Sequence, residues 1–239
     1  MIPPSNTPEL SIVIPALNEA DNLAELLPKV RETLSTIDTV YEIIIVDERA
    51  NDQTRQVAQA NSAILLSPDS RGYGAALLAG LRHAQGSYIV SMDADLSHPP
   101  HFLLDMWHAR TQADLIIASR YVKGGQAFMP LSRLLLSQIL NNIFNIMLKL
   151  KVLDLSSGYR MYAAAVIQGM EIQGQNFEVL QELLVKALVQ GYRILEIPFS
   201  YRPRKHGSSH ARVIKFGFAY LRMLRRLWKI RYSTSSTAA

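Results

Sequence analysis

The chain has 239 residues, nearly half of them hydrophobic (49%), which suffices for one large domain with its own core. It has no cysteine, which excludes disulfides, thiolate catalysis and cysteine metal sites, and its opening MIPPSNTPEL shows neither the basic nor the apolar region expected of a signal peptide. The net charge of +5 conceals a split: residues 1–201 carry 15 Lys/Arg against all 20 Asp/Glu, whereas residues 202–239 carry the other 10 Lys/Arg and no acid, a basic segment suited to an anionic partner.

The first half alternates strand and helix signals. Short apolar runs predict buried strands at residues 10–14 (LSIVI), 42–46 (EIIIV), 63–66 (AILL), 88–92 (YIVSM) and 115–118 (LIIA). Between the first two, residues 22–34 place Leu23, Leu26, Leu27, Val30 and Leu34 on one helical face. Strands separated by helices imply an α/β fold with a mostly parallel central sheet covered on both sides. Ligands of such sheets gather at the carboxyl ends of the strands. The polar clusters PALNE, DERAND and DADLSHPP all follow predicted strands.

Each cluster has a chemical and a bland reading. Pro15, Asn18 and Glu19 make either a ligand-facing turn or an ordinary helix start with a first-turn acid. Asp47 and Glu48 either accept hydrogen bonds from a base or ribose, or serve as helix N-terminal acids. Arg71-Gly72-Tyr73-Gly74 opens an amphipathic helix, where glycines allow close backbone approach and the N-terminus favours phosphate. No dinucleotide fingerprint and no P-loop occurs. Asp93-Ala94-Asp95 is the sharpest signal. Two carboxylates spaced i, i+2 past a buried strand suit Mg²⁺ or Mn²⁺, which share their remaining positions with substrate phosphates. Isolated, the same triplet is an Asp-rich turn; its place between YIVSM and the Pro-started helix HPPHFLLDM favours the metal.

The second half predicts a helix at residues 131–151, the segment DLSSGYRMY, a helix at 178–190, a strand at 194–198, the basic turn RPRKHGSSH and a final helix at 213–231. In the first of these helices Gln138, Asn141, Asn142, Asn145 and Lys149 form a polar stripe opposite Leu135, Ile139, Ile143, Ile146, Met147 and Leu150. That pattern lies in a membrane interface rather than spanning it. The last helix sets Arg222, Arg225, Arg226 and Lys229 beside Tyr220, Leu221, Leu224, Leu227 and Trp228, a basic amphipathic pattern that fits an anionic membrane surface or a membrane-protein partner. No nucleic-acid-binding pattern occurs, and no nucleic acid is expected as a partner. Residues 1–210 are expected to form one domain, and residues 211–239 an amphipathic helix with a disordered tail.

Seven segments occur in a telling order: SIVIPALNE, IIIVDERANDQT, SRGYGAALLAGL, YIVSMDADLSHPP, IIASRYVKGG, DLSSGYRMY and RKHGSSH. From about residue 10 to the end the chain resembles family 2 glycosyltransferases, most of all the dolichol-phosphate mannosyltransferases and their bacterial polyprenyl-phosphate relatives. The resemblance implies a GT-A fold. It implies that Pro15, Asn18, Glu19, Asp47, Glu48, Arg71, Gly72, Asp93 and Ala94 line the site of a nucleoside-diphosphate sugar (GDP-mannose or a UDP-sugar), and that Asp93 and Asp95 hold the metal. Relatives usually have a second Asp where this chain has Glu48, and several have Gln where it has Ser97.

By the same resemblance Arg120, Arg133, Ser137, Arg160 and Arg204 receive a lipid phosphate, with Asp95, Arg120, Arg133 and Arg204 as the catalytic set. Arginine forks bind phosphate in two-pronged fashion. A phosphate acceptor arrives already ionised, with a second pKa of about 6, and so needs no general base. A hydroxyl acceptor needs one; Asp95 or Glu182 would then serve, and no His–carboxylate pair is evident. The expected function is metal-dependent, inverting transfer of a hexose to a polyprenyl phosphate, at the cytoplasmic face of a membrane and bound there peripherally. Transfer to a hydroxyl, or a catalytically inactive nucleotide-sugar-binding protein, are the alternatives.

Overall fold

In a computed structural model, residues 7–174, 176–201 and 216–233 are described, without the side chains of 216–222 and 233. The elements are β1 (Leu10–Ala16), α1 (Ala20–Leu34), β2 (Tyr41–Asp47), α2 (Asp52–Ala60), β3 (Ile64–Leu66), α3 (Tyr73–His83), β4 (Tyr88–Ser91), α4 (Phe102–Ala109), β5 (Leu115–Ser119), β6 (Gln126–Ala127), α5 (Leu131–Leu148), β7 (Arg160–Ala163), α6 (Ala164–Ile167), α7 (Glu178–Val189), β8 (Ile194–Pro198), β9 (Ser200–Tyr201) and α8 (Phe216–Ser233).

Seven strands form one sheet in the order β3-β2-β1-β4-β7-β5-β8, and β6 pairs with β9 apart from it. Both faces are covered because the strand residues point alternately. Leu10, Ile12, Ile14, Ile43 and Ile45 pack with Leu23, Leu26 and Leu27 of α1 and with Phe102 and Met106 of α4. Val13, Ile44 and Val46 pack on the other side with Leu77 and Leu81 of α3 and with Leu180, Leu183 and Leu184 of α7. Near-continuous apolar strands follow from this double burial. The strand order reverses between β1 and β4, which opens a crevice at their carboxyl ends.

The mostly parallel sheet expected from the sequence has one departure. β7 runs antiparallel between β4 and β5, with Arg160 opposite Ser91 and Ile117. Its four residues begin with a charge, and the apolar residues that follow run on without a break into α6, so the neighbouring strands decide where the strand lies. Its effect is to bring the preceding loop, residues 154–159, up against the end of β4.

Helix α5 is inverted. Asn141, Phe144 and Leu148 are buried, and the Asn145 amide donates to the Val152 carbonyl at 2.6 Å. Leu131, Leu135, Leu136, Ile139, Ile143, Ile146 and Met147 are exposed, Ile146 by 78%. Helix α8 does the opposite of what its stripe suggests. Met223, Leu224 and Leu227 are buried in the same core as α5 and α7, so these members of its apolar side pack inward, while Arg225 and Trp228 remain exposed. Arg231 and Tyr232 donate to the carbonyls of Leu148 and Met147, fastening α8 to the last turn of α5. No helix among the described residues is long and apolar enough to cross a membrane.

Candidate active site

Three parallel strands deliver their polar ends to one line. β1 and β2 are paired so that Ala16 lies opposite Asp47, and β1 and β4 so that Val13 lies opposite Ser91. The turns after them therefore sit side by side: 17–19, 47–49 and 93–95. Two of these turns use left-handed backbone at non-glycine residues, Asn18 (φ 57°) and Leu96 (φ 63°). Such strain persists only where surrounding structure imposes it, and it gathers at ligand sites.

On the nucleoside side, Pro15 is buried at the end of β1, and Asn18 is exposed. Glu19 accepts a hydrogen bond from the Asn22 amide, whose own buried oxygen has no partner in the protein. Asp47 is fully buried; one carboxylate oxygen accepts from the Arg49 amide at 2.9 Å and the other has no protein partner. A buried carboxylate oxygen without a donor is costly, and a ligand donor is the natural remedy. Glu48 is engaged differently: it accepts the Gly72 amide at 3.0 Å and caps the first turn of α3. Gly72 has φ 108°, a conformation reserved for glycine, and Arg71 beside it is exposed.

At the end of β4, Asp93 has a side chain about one-third exposed (33%), Ala94 and Asp95 are buried, and Asp95 accepts the Ser97 amide at 3.1 Å, closing the turn. His98 Nδ1 accepts the Asp93 amide at 2.8 Å, and Nε2 stands 3.7 Å from Asp93 Oδ2. Burial lowers the His98 pKa against the opposing pull of Asp93, so the ring is neutral, with its proton on Nε2. Burial, with Asp93 adding to it, holds the Tyr73 phenol well above its ordinary pKa.

On the acceptor side, Arg120 Nε and Nη2 donate to the two oxygens of Asp154 at 2.7 Å each, and Nη2 also reaches Ser156 Oγ at 2.7 Å. Ser137 of α5 accepts from the Tyr121 hydroxyl at 2.9 Å. Ser137 and Ser156 line one cavity of about 30 Å³, which draws Arg120 and Ser137 into the same neighbourhood. Arg133 is exposed one turn before Ser137 on α5. Arg204, with Lys205 and His206, lies outside the described residues.

The glycosyl transferase family 2 model matches residues 11–170. The chain belongs to glycosyltransferase family 2. A dolichol-phosphate mannosyltransferase of Pyrococcus furiosus is 33% identical over 92% of this chain and 64% of its own length. A low-salt glycan biosynthesis hexosyltransferase of Haloferax volcanii is 26% identical over 91% of this chain and 53% of its own. The chain thus spans between half and two-thirds of the length of these two relatives; a dolichol-phosphate mannosyltransferase of Mycosarcoma maydis, 29% identical, is covered over 82%. Glucosyl-3-phosphoglycerate synthase of Mycobacterium tuberculosis, solved with Mg²⁺ and UDP, superposes with a TM-score of 0.70 at 19% identity, over 94% of this chain and 79% of that one. That likeness establishes the GT-A fold.

The donor set of this family 2 member suits a divalent cation that also holds a diphosphate. Among the described residues no cluster of three or more metal-binding side chains occurs, so Asp93 and Asp95 would supply oxygens while phosphate and water supply the rest. Gly158 leaves space directly over Asp93, where a Cβ would stand 3.5 Å from Oδ1.

Two residues expected at the site are elsewhere. Arg160 is fully buried, its three donor nitrogens given to the carbonyls of Ser157, Leu180 and Leu155 at 2.7 Å each. It staples the 154–160 loop and has neither access nor a free donor fork for a lipid phosphate. Glu182 is equally buried; it accepts the amides of Gln173 and Gly174 and ion-pairs with Lys186 and Arg226, which removes it as a general base. Conversely, His98, Tyr73 and Asp154 were not singled out as site residues. His98 lies five residues from Asp93 in a turn whose path periodicity does not reveal. Asp154 lies 34 residues from Arg120 and meets it only through the strand pairing of β5 with β7.

Proposed function

We propose that this protein is a metal-dependent inverting glycosyltransferase that moves a hexose, mannose by resemblance to its mannosyltransferase relatives, from a nucleoside-diphosphate sugar to a polyprenyl phosphate at a membrane surface. The observation that carries this reading is helix α5. One face of the helix bears Arg133 and Ser137 for a phosphate, and the opposite face bears an exposed row of Ile139, Ile143 and Ile146. An apolar patch of this kind on a monomer marks a membrane or partner surface. Between α5 and α8, Met147, Leu224, Arg225 and Trp228 line a groove of about 250 Å³ whose cation and indole suit the interface of an anionic bilayer.

The chain's residues divide the work. Asp47 accepts from the nucleobase through its unpartnered oxygen, and the glycine-bearing start of α3 faces the phosphates. Asp93 and Asp95 hold Mg²⁺ or Mn²⁺, as the solved relative holds Mg²⁺ with UDP; the cation supplies charge neutralisation for the departing diphosphate. Arg120, Arg133 and Ser137 orient the acceptor phosphate so that one of its oxygens attacks the anomeric carbon from the face opposite the diphosphate. The new C–O bond forms as the bond to the diphosphate oxygen breaks, and the configuration inverts. Positioning and charge neutralisation are the whole task, because the nucleophile arrives ionised.

Incubation with a polyprenyl phosphate and a panel of GDP- and UDP-sugars, read by mass spectrometry, tests the reading. A glycosylated lipid phosphate is expected with Mg²⁺ or Mn²⁺ and not in chelator, abolished by Asp95→Asn and reduced at least a hundredfold by Arg133→Ala. Transfer to hydroxyl acceptors alone would overturn the lipid-phosphate assignment. Nucleotide binding without transfer from any donor would mark an inactive binding protein.

A further inference from the structure

Helices α5 and α7 leave a small recess between them, the cavity of about 30 Å³ beside the acceptor side of the site. Ser137 and Ser156 stand half-buried at its mouth, and Asn141, Phe144, Leu155 and Gln181 form its buried floor. Two of the floor residues are carboxamides without full pairing. Asn141 and Gln181 are only 6% and 5% exposed, yet Asn141 Nδ2 and Gln181 Oε1 have no hydrogen-bond partner among the described residues. A buried amide atom left unpaired is costly, and folded proteins keep few of them. Two such residues lining one cavity point to an occupant with polar atoms.

The recess adjoins the cations of the acceptor side. Arg120 Nη2 donates to Ser156 Oγ at 2.7 Å, and Arg133, Ser137 and Asn141 follow one another at intervals of four along one face of α5. Ser137 Oγ accepts from the Tyr121 hydroxyl at 2.9 Å, which leaves its own proton available to the recess. The walls are held in place. Arg160 donates to the carbonyls of Leu155 and Ser157, on either side of Ser156, and to that of Leu180, next to Gln181.

Size and chemistry limit what fits. A cavity of this volume takes roughly one or two oxygen-sized groups, so neither a sugar ring nor a polyprenyl chain enters. The floor carries no charged side chain while cations stand near the mouth, which suits one oxygen of an anion whose charge is met outside. A terminal carboxamide turns end over end readily, because its last torsion is roughly two-fold. Asn141 and Gln181 can therefore both present N–H donors inward, beside the Ser137 hydroxyl.

We infer that this recess is the inner end of the acceptor site, taking one terminal oxygen of the phosphate monoester on donors from Ser137, Asn141 and Gln181. The inference rests on the lipid-phosphate reading above and adds Asn141 and Gln181 to its residues. Arg120 and Arg133 meet the charge of the phosphate, and the two carboxamides fix its rotation, which leaves another terminal oxygen to attack.

Calorimetric titration of the full chain with farnesyl phosphate tests this. Asn141→Leu and Gln181→Met keep the side-chain size and remove the amides. Each is expected to weaken farnesyl phosphate binding roughly ten- to a hundredfold, the worth of a hydrogen bond to a charged group. Farnesol, which lacks the phosphate, and GDP or UDP should bind the variants as they bind the wild type. Melting temperatures without ligand are expected at or above the wild-type value, because an unpaired amide gives way to an apolar group of similar shape. Wild-type affinity for farnesyl phosphate in both variants overturns the inference and leaves the glycosyltransferase reading standing. A melting temperature lowered in both variants also overturns it, as the sign that the amides pair with a structural water and hold α5 to α7. Failure of the wild type itself to bind farnesyl phosphate removes the inference together with the lipid-phosphate acceptor.

Discussion

Asp154 grips Arg120 with both carboxylate oxygens, each at 2.7 Å from a guanidinium nitrogen, and accepts the Arg120 backbone amide as well at 3.1 Å. The carboxylate is fully buried and the guanidinium nearly so. Burial by itself would raise the Asp154 carboxyl, but Arg120 overrides it and holds the group below the usual carboxylate range. Burial works against the Arg120 charge too, and Asp154 more than compensates, leaving it raised. The pair fixes the guanidinium plane next to Ser156, on the acceptor side of the site.

Removing one partner strands the other in a low-dielectric interior. Asp154→Ala is therefore expected to lower unfolding free energy by about 3–5 kcal/mol, read by urea denaturation at pH 7. The folded Asp154 value lies below the unfolded one of about 3.9. Its contribution is thus complete above that unfolded value and lost as pH falls through the folded value. The gap between wild type and variant should persist from pH 7 to pH 5 and narrow below about pH 4; a gap that stayed constant into acid would contradict the pairing.

Asp47→Ala should separate ligand binding from folding. The substitution removes a buried oxygen without a protein partner along with one hydrogen bond to the Arg49 amide. These losses oppose each other in the free protein, so its melting temperature is expected to hold. Hydrogen bonds to a charged group are worth about 1.5–3 kcal/mol, which corresponds to a loss of roughly ten- to a hundredfold in GDP or UDP affinity. Calorimetric titration measures both nucleotides, and unchanged affinity would remove Asp47 from the nucleoside site.

Gly80 lies where α3 crosses β1 and β2. A Cβ there would stand 2.3 Å from Val13 Cγ1 and 3.0 Å from Val46 Cγ2. Both valines are fully buried in strand interiors and cannot swing aside. Gly80→Ala, favourable for helix propensity alone, is expected to destabilise by about 1–3 kcal/mol because overpacking outweighs propensity. Thermal denaturation should show a drop in the midpoint, and a rise would contradict the close crossing.

The exposed row on α5 has its own test. Ile139→Glu combined with Ile146→Glu places charges where the side chains already face outward, so the fold should be retained by circular dichroism and melting temperature. Flotation with vesicles containing phosphatidylglycerol should show binding by the wild type and loss of most of it in the double variant. Equal flotation of both proteins would dissociate α5 from the membrane.

Much of the architecture was legible in the chain. The strands at β1, β2, β4 and β5 were marked by apolar runs, because a strand buried on both faces has no polar alternation to blur it. The Asp93–Asp95 pair was marked by its place after such a run. Strand β7 was not legible: a four-residue segment headed by Arg160 becomes a strand only between β4 and β5. The roles of Arg160 and Glu182 also inverted for that reason. Charge type is a property of the chain, whereas access to a ligand depends on what covers the group. Local periodicity decided which faces of α5 and α8 are apolar. Tertiary packing decided that α8 turns Leu224 and Leu227 inward while α5 leaves Ile139, Ile143 and Ile146 outward, since α5 buries Asn141, Phe144 and Leu148 against the core. The sequence by itself determined the elements and the chemistry of the strand ends. Which of those groups share a crevice was decided only when residues tens of positions apart, such as Tyr73, Asp93 and Gly158, were brought into contact by the pairing of β4 with β7.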